Sequence, residues 1–261
     1  MYPVLLHTII IYKFYSMIQI QKKFPLFSCV FRMAFPKFMP LVRRAPGTTR
    51  ILCYGDSNTW GYVPLTGKRY KRTDRWTGVL RKELGNGYEV IEQGLNGRTT
   101  VRDEPGRFLR NGGKVLPRCL ESFKPLDLVI IFLGTNDLKQ QFAMSASDIA
   151  RGAGQLVDIV SRSTTGRDGF PPRVLLLAPP PVGRLSNFAE SFKGAAEKSY
   201  KLGSYYKKIA GEKGCAFMDT SAVVKSSDLD GIHFEKNQHA ALGSSLAAFI
   251  RNNHIAAIPV I

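Results

Sequence analysis

Acidic residues are scarce in this 261-residue chain and unevenly placed: 20 Asp and Glu face 37 Lys and Arg, and none precedes Asp56. Of the formal net charge of +17, eight charges (Lys13, Lys22, Lys23, Arg32, Lys37, Arg43, Arg44 and Arg50) lie before that first acid. The rest are scattered, with short clusters such as Lys68-Arg69-Tyr70-Lys71-Arg72. Zinc-finger spacing and RNA-recognition aromatic motifs are absent, which argues against a specific nucleic-acid partner. A basic face that attracts anionic substrates or surfaces stays open. Cysteine is sparse too: Cys29, Cys53, Cys119 and Cys215 include no C-x-x-C pair. Nothing there demands an oxidising compartment or offers zinc-ligand spacing, and buried free thiols are the expectation. Long apolar runs are also missing. Pro3–Tyr12 is interrupted by Lys13, short of the roughly 20 apolar residues a membrane helix needs, so no transmembrane span is expected.

Residues 1–49 differ in kind from the remainder and are expected to lie outside the folded domain, which takes residues 50–261. Basic residues without acids suit an organellar transit peptide, whereas no charged region precedes the apolar run as in a secretory signal. Alternatively, translation starts at Met33 or Met39 and the upstream residues have no function. The first reading places the protein in an organelle, the second in the cytoplasm.

From Arg50 onward, short apolar runs at Ile51–Tyr54, Tyr88–Ile91, Leu128–Leu133, Val174–Ala178 and Ala216–Met218 read as buried strands. Amphipathic stretches between them read as helices: from Thr73 to about Leu84, around Val115–Phe123, Ser145–Ser163, Ser191–Glu212 and Asn237–Asn252. Such alternation predicts a three-layer α/β/α sandwich around a five-stranded parallel, flavodoxin-like sheet. Working residues in such sheets lie past the carboxyl ends of the strands.

The chemistry-bearing motifs fall in those places. Ser57 follows the first strand in Gly55-Asp56-Ser57-Asn58-Thr59-Trp60-Gly61. A lone serine there is equally good helix-cap chemistry, since its hydroxyl needs a base to become a nucleophile. Asp230-Gly231-Ile232-His233 supplies one: residues three apart share a side of a turn, so Asp230 can accept a hydrogen bond from His233 Nδ1–H, fixing the tautomer and leaving Nε2 free as a base. Among the four histidines, His7 and His254 lie near the ends, and His239 has no acid placed to orient it. After the third strand, Asn136 in Gly134-Thr135-Asn136-Asp137 is either an Asx-turn residue or an amide aimed at a developing oxyanion. Glycines in Gln93–Thr100 would allow a backbone N–H the same task.

These four blocks resemble the SGNH (GDSL-like) hydrolase superfamily, and within it the bacterial-type arylesterases. The resemblance runs from about Arg50 to Arg251 and includes Asp74–Leu80 and Asp127–Ile131. It departs at Asn58, where the family usually carries Leu or another residue. It implies a serine esterase cleaving small acetyl or aryl esters through an acyl-enzyme, with acyl transfer when an alcohol replaces water. Ser57 would be the nucleophile, His233 the base and Asp230 its orienter. The N–H groups of Ser57 and Gly97 and the Asn136 side chain would form the oxyanion hole, with neither metal nor cofactor. Asn58, Trp60 and Tyr62 are candidates for the substrate pocket, while Trp76 is more often core; Asp56 and Asp137 read as scaffold. The proline-rich loop Pro179–Phe188 would be a rim of the site or a contact in a homo-oligomer, as in the resembling esterases. Two alternatives remain: a thioesterase or lysophospholipase using the same triad, and a non-enzymatic module for anionic surfaces.

Overall fold

The computed structural model describes residues 47–255, all within one unit, Ala45–Ile261. The expectations for the basic extension lie outside the described residues, apart from its last few positions. Five strands, β1 (Thr49–Gly55), β2 (Tyr88–Gly94), β3 (Leu128–Phe132), β4 (Arg173–Ala178) and β5 (Ala216–Asp219), alternate with helices. Those helices are α1 (Ser57–Trp60), α2 (Trp76–Leu84), α3 (Gly112–Phe123), α4 (Ala146–Ser161), α5 (Ala195–Tyr200), α6 (Leu202–Lys213) and α7 (Lys236–Asn252). The sheet is parallel throughout, in the order β2-β1-β3-β4-β5. The α/β class and the five-stranded parallel sheet are as the sequence predicts.

Alternate residues of each strand point to opposite faces. Leu52, Tyr54, Val129, Ile131 and Leu176 therefore join a core covered by α3, α4, α5 and α6. Ile51, Cys53, Ile130, Phe132, Leu175 and Leu177 join a second core under α2 and α7. Each fully buried Leu or Ile contributes about 1.5–3 kcal/mol by leaving water. Cys53 and Cys119 are buried free thiols, and Cys215 is a half-buried one.

Helices α2 and α7 approach so closely that a Cβ on Gly243 would meet the Trp76 carbonyl oxygen at 2.7 Å and the Val79 Cβ at 2.6 Å. Overpacking here outweighs alanine's helix-propensity gain of about 1 kcal/mol. Gly243→Ala is expected to lower stability by about 1–2 kcal/mol, read as a lower urea midpoint at unchanged slope. An unshifted midpoint would show slack between the helices.

Two helices differ from expectation. Residues 73–75 form turns, and α2 begins at Trp76. Arg75 provides no side-chain cap; instead the Trp76 N–H is met by His239 Nδ1 at 3.3 Å. The long helix over 191–212 is replaced by turns followed by α5 and α6, because Gly194 (φ +74°) takes a left-handed conformation and Lys201 separates the two helices.

His239 is thus a buried acceptor at a helix start. Burial first, then the charges of Arg75 and His233, push its pKa down to about 3. An unfolded histidine titrates near 6.5, so between those values the unfolded chain holds a proton that the fold excludes. Stability from this site is complete above about pH 6.5 and falls by up to about 1.4 kcal/mol per pH unit below it. Urea midpoints at pH 7.5 and 5 are expected to differ less in His239→Gln than in the native chain. Equal pH dependence in the two would refute the assignment.

Candidate active site

β1 lies between β2 and β3, so the chain leaves it toward one side and later returns on the other. That reversal opens a crevice past the carboxyl ends of β1 and β3. Gly55 ends β1 where a Cβ would collide with Thr59 Oγ1 and the Phe132 carbonyl oxygen. Asp56, not Ser57, is the cap of α1, its Oδ1 accepting the Asn58 N–H at 2.9 Å. Ser57 is consequently the first helical residue, freed from the capping task. Gly61 closes the short helix in a left-handed conformation, φ +89°.

The Asp230–His233 segment meets Ser57 from 176 positions away: His233 Nε2 lies 3.0 Å from Ser57 Oγ. On the other side of the ring, Nδ1 lies 2.7 Å from Asp230 Oδ2. Asp230 Oδ1 accepts the N–H groups of Ile232 and His233, each at 2.9 Å. Burial raises the Asp230 pKa, but these hydrogen bonds and the His233 charge outweigh it and hold the carboxyl below its ordinary value. Gly231 needs its left-handed φ of +77°, and a Cβ there would strike the Arg184 carbonyl at 2.7 Å.

Asn58 was expected as pocket lining, but both ends of its buried amide are engaged elsewhere. Its Oδ1 accepts the Phe234 N–H at 3.1 Å and its Nδ2 donates to the Ile232 carbonyl at 3.2 Å. It clamps the serine helix to the histidine loop. Tyr62 stacks on the His233 ring at 4.1 Å between centroids, and Trp60 adjoins Tyr62 at 6.4 Å. Trp76 is fully buried in the core under α2. Phe188, from the proline-rich loop, meets His233 edge-on at 5.6 Å. That loop is tied to the histidine loop by Gly183 N–H to Gly231 O (2.8 Å) and Ser186 Oγ to Leu229 O (2.7 Å), so it forms a rim here.

The other two blocks are joined to the first by Arg98, which the sequence did not single out, and to each other by Asp137, which it read as scaffold. Arg98 is buried, donates to the Gly55 carbonyl at 2.9 Å and lies over the Tyr54 ring. Its own carbonyl accepts from Asn136 Nδ2 at 3.2 Å. Gly97 beside it has φ +80°, and a Cβ there would strike the Arg110 guanidinium. Asp137 accepts the Thr100 N–H, locking the Gly97 and Asn136 loops together. Burial pushes both Asp56 and Asp137 up to about 6, against the hydrogen bonds that oppose it.

Among the described residues, no cluster of three His, Cys, Asp or Glu side chains could hold a metal ion, and no helix is long and apolar enough to cross a membrane.

Residues 53–241 match the model of the GDSL-like Lipase/Acylhydrolase family. No curated protein matches the chain. The solved structure of the M. smegmatis aryl esterase is 41% identical with a TM-score of 0.76, covering 78% of this chain and 99% of its own. A carbohydrate acetylesterase from Sinorhizobium meliloti is 38% identical, also with a TM-score of 0.76, covering 79% of this chain and all of its own. With the strand order, the match over most of the chain and these similarities in hand, this chain belongs to the GDSL-like lipase/acylhydrolase family, the SGNH hydrolases, and is an esterase.

Proposed function

We propose that the chain hydrolyses small carboxylic esters, acetyl or aryl, through an acyl-enzyme on Ser57. The observation that carries this reading is the unbroken line Ser57 Oγ, His233, Asp230, at 3.0 and 2.7 Å. Ser57 Oγ attacks the ester carbonyl while His233 Nε2 takes its proton. Asp230 holds the tautomer and steadies the imidazolium. His233 then returns the proton to the leaving alcohol, and water, activated by the same base, releases the acid. An alcohol in place of water gives acyl transfer.

Three donors are assigned to the oxyanion. As the first residue of α1, Ser57 has an N–H without an intrahelical acceptor. Gly97 turns the chain beside it, and Asn136 retains a second amide N–H beyond the one donated to Arg98. Each such donor typically contributes about 10²–10³ in turnover. The ring of Tyr62 over His233, with Trp60 and Phe188, supports a short aromatic-walled pocket suited to acetyl or aryl groups.

A series of p-nitrophenyl esters from acetate to palmitate tests the assignment, together with a fluorophosphonate that labels activated serines. Maximal kcat/KM at acetate or butyrate and labelling of the Ser57 peptide are expected. A maximum at palmitate would replace this reading with a lysophospholipase-like one. Labelling of a different serine would remove Ser57.

A further inference from the structure

Four guanidinium groups converge on one carboxylate at the edge of β2. Glu92, near the end of that strand, lies 2.5 Å from Arg75, 3.7 Å from Arg69, 3.8 Å from Arg72 and 3.9 Å from Arg81. One carboxylate offsets one of these charges. The next acid on the strand, Glu89, already pairs with Arg50 at 2.8 Å, and Asp74 pairs with Lys236 at 3.1 Å. Counting Arg50 and Glu89 with the cluster, five guanidinium charges face two carboxylates, an excess of three. Burial, and behind it repulsion among these arginines, lowers the pKa of both Arg75 and Arg81. Gathering like charges around a buried carboxylate costs free energy unless another anion offsets it.

The cluster also has an open side, and that side adjoins the catalytic groups. Arg75 is buried, but the Arg69 and Arg72 side chains are 41% and 65% exposed, with Lys68 and Lys71 exposed beside them. Arg69 donates its Nε–H to the Trp60 carbonyl at 2.7 Å and sits over the Trp60 ring at 5.0 Å. Trp60 ends the single-turn helix that Ser57 begins. Arg69 also bridges, antiparallel, to Tyr62, the residue stacked on His233. The basic segment is therefore one residue contact removed from the His233 ring.

We propose that Arg69 and Arg72, backed by Arg75 and Arg81, form a subsite for an anionic oxyacid group, carboxylate or phosphate, carried by the ester substrate. This rests on the reading of Ser57 as nucleophile. Planar, weakly hydrated guanidinium forks match both oxyacids, which point-like ammonium groups do less well. The two exposed arginines hold such a group on the Trp60–Tyr62 side of the crevice, with the ester carbonyl at Ser57. The field of the buried Arg75 is screened less by salt than that of surface charges.

The test uses the full chain and three acetate esters that differ in charge: 4-acetoxybenzoate, its neutral methyl ester, and 4-acetoxyphenyl phosphate. The quantity read is the kcat/KM of each anionic ester divided by that of the methyl ester. Arg69→Gln/Arg72→Gln is expected to lower this ratio about tenfold, through KM. Arg72→Gln, which leaves the Trp60 contact in place, should lower it about threefold, and raising salt from about 0.01 to 1 M should lower it in the native chain, as the Debye length shrinks from about 30 to 3 Å. A fall with either anionic ester supports the subsite and identifies its oxyacid. A ratio unmoved by both variants for both esters overturns it. Failure of the underlying reading looks different: Ser57→Ala would then cleave the neutral methyl ester as fast as the native chain.

Discussion

Ser57→Ala is expected to lower kcat on p-nitrophenyl acetate by about 10⁴-fold or more, with KM little changed. Without the hydroxyl no acyl-enzyme forms, and His233 has only water to deprotonate. The residual rate over the uncatalysed reaction then comes from the oxyanion donors and from binding. The fold should survive, since the Ser57 hydroxyl bonds to His233 Nε2 while the α1 cap belongs to Asp56. Steady-state kinetics with a urea midpoint on the same sample check both halves. Loss of activity without loss of stability is the expected pair, and native turnover by the variant would assign the nucleophile elsewhere.

Asp230→Asn is expected to lower kcat by about 10⁴-fold as well, for a subtler reason. Asp230 Oδ1 is held by two backbone N–H groups, those of Ile232 and His233. An asparagine keeps its carbonyl oxygen against those donors, which turns its NH₂ toward His233 Nδ1. That ring nitrogen must then accept, so the proton moves to Nε2 and faces Ser57 Oγ. The base is present but in the wrong tautomer. Asp230→Ala, by contrast, also frees the loop and should lower the urea midpoint more than Asp230→Asn does. Activity of the asparagine variant within tenfold of native would mean that packing by Tyr62 and Phe188 orients His233 instead.

Much of the site was legible locally. Asp230 and His233 are three positions apart, and their hydrogen bond needs only one turn of chain. The five strands announce themselves because parallel strands covered on both faces are almost wholly apolar, as β3, with five buried residues, illustrates. β2 is read short, ending at Ile91, because its polar continuation Glu92-Gln93 pairs with β1 at the sheet edge. Ser57 itself was ambiguous, since the cap chemistry around it is shared between Asp56 and Ser57. The long helix over 191–212 was over-read because amphipathic periodicity does not register a single left-handed glycine.

From the residues themselves came the strand–helix alternation, the order of the four blocks and the pairing of Asp230 with His233, all set by neighbours within a few positions. The approach of His233 to Ser57, the Asn58 clamp on Ile232 and Phe234, the buried Arg98 brace and the ring of arginines on Glu92 were settled by the tertiary structure. Each joins elements brought together by the sheet order β2-β1-β3 or by α7 packing back onto α2. Side chains separated by up to 176 positions leave no periodic trace in the chain, because their proximity arises from burial of two whole sheet faces and not from any local preference.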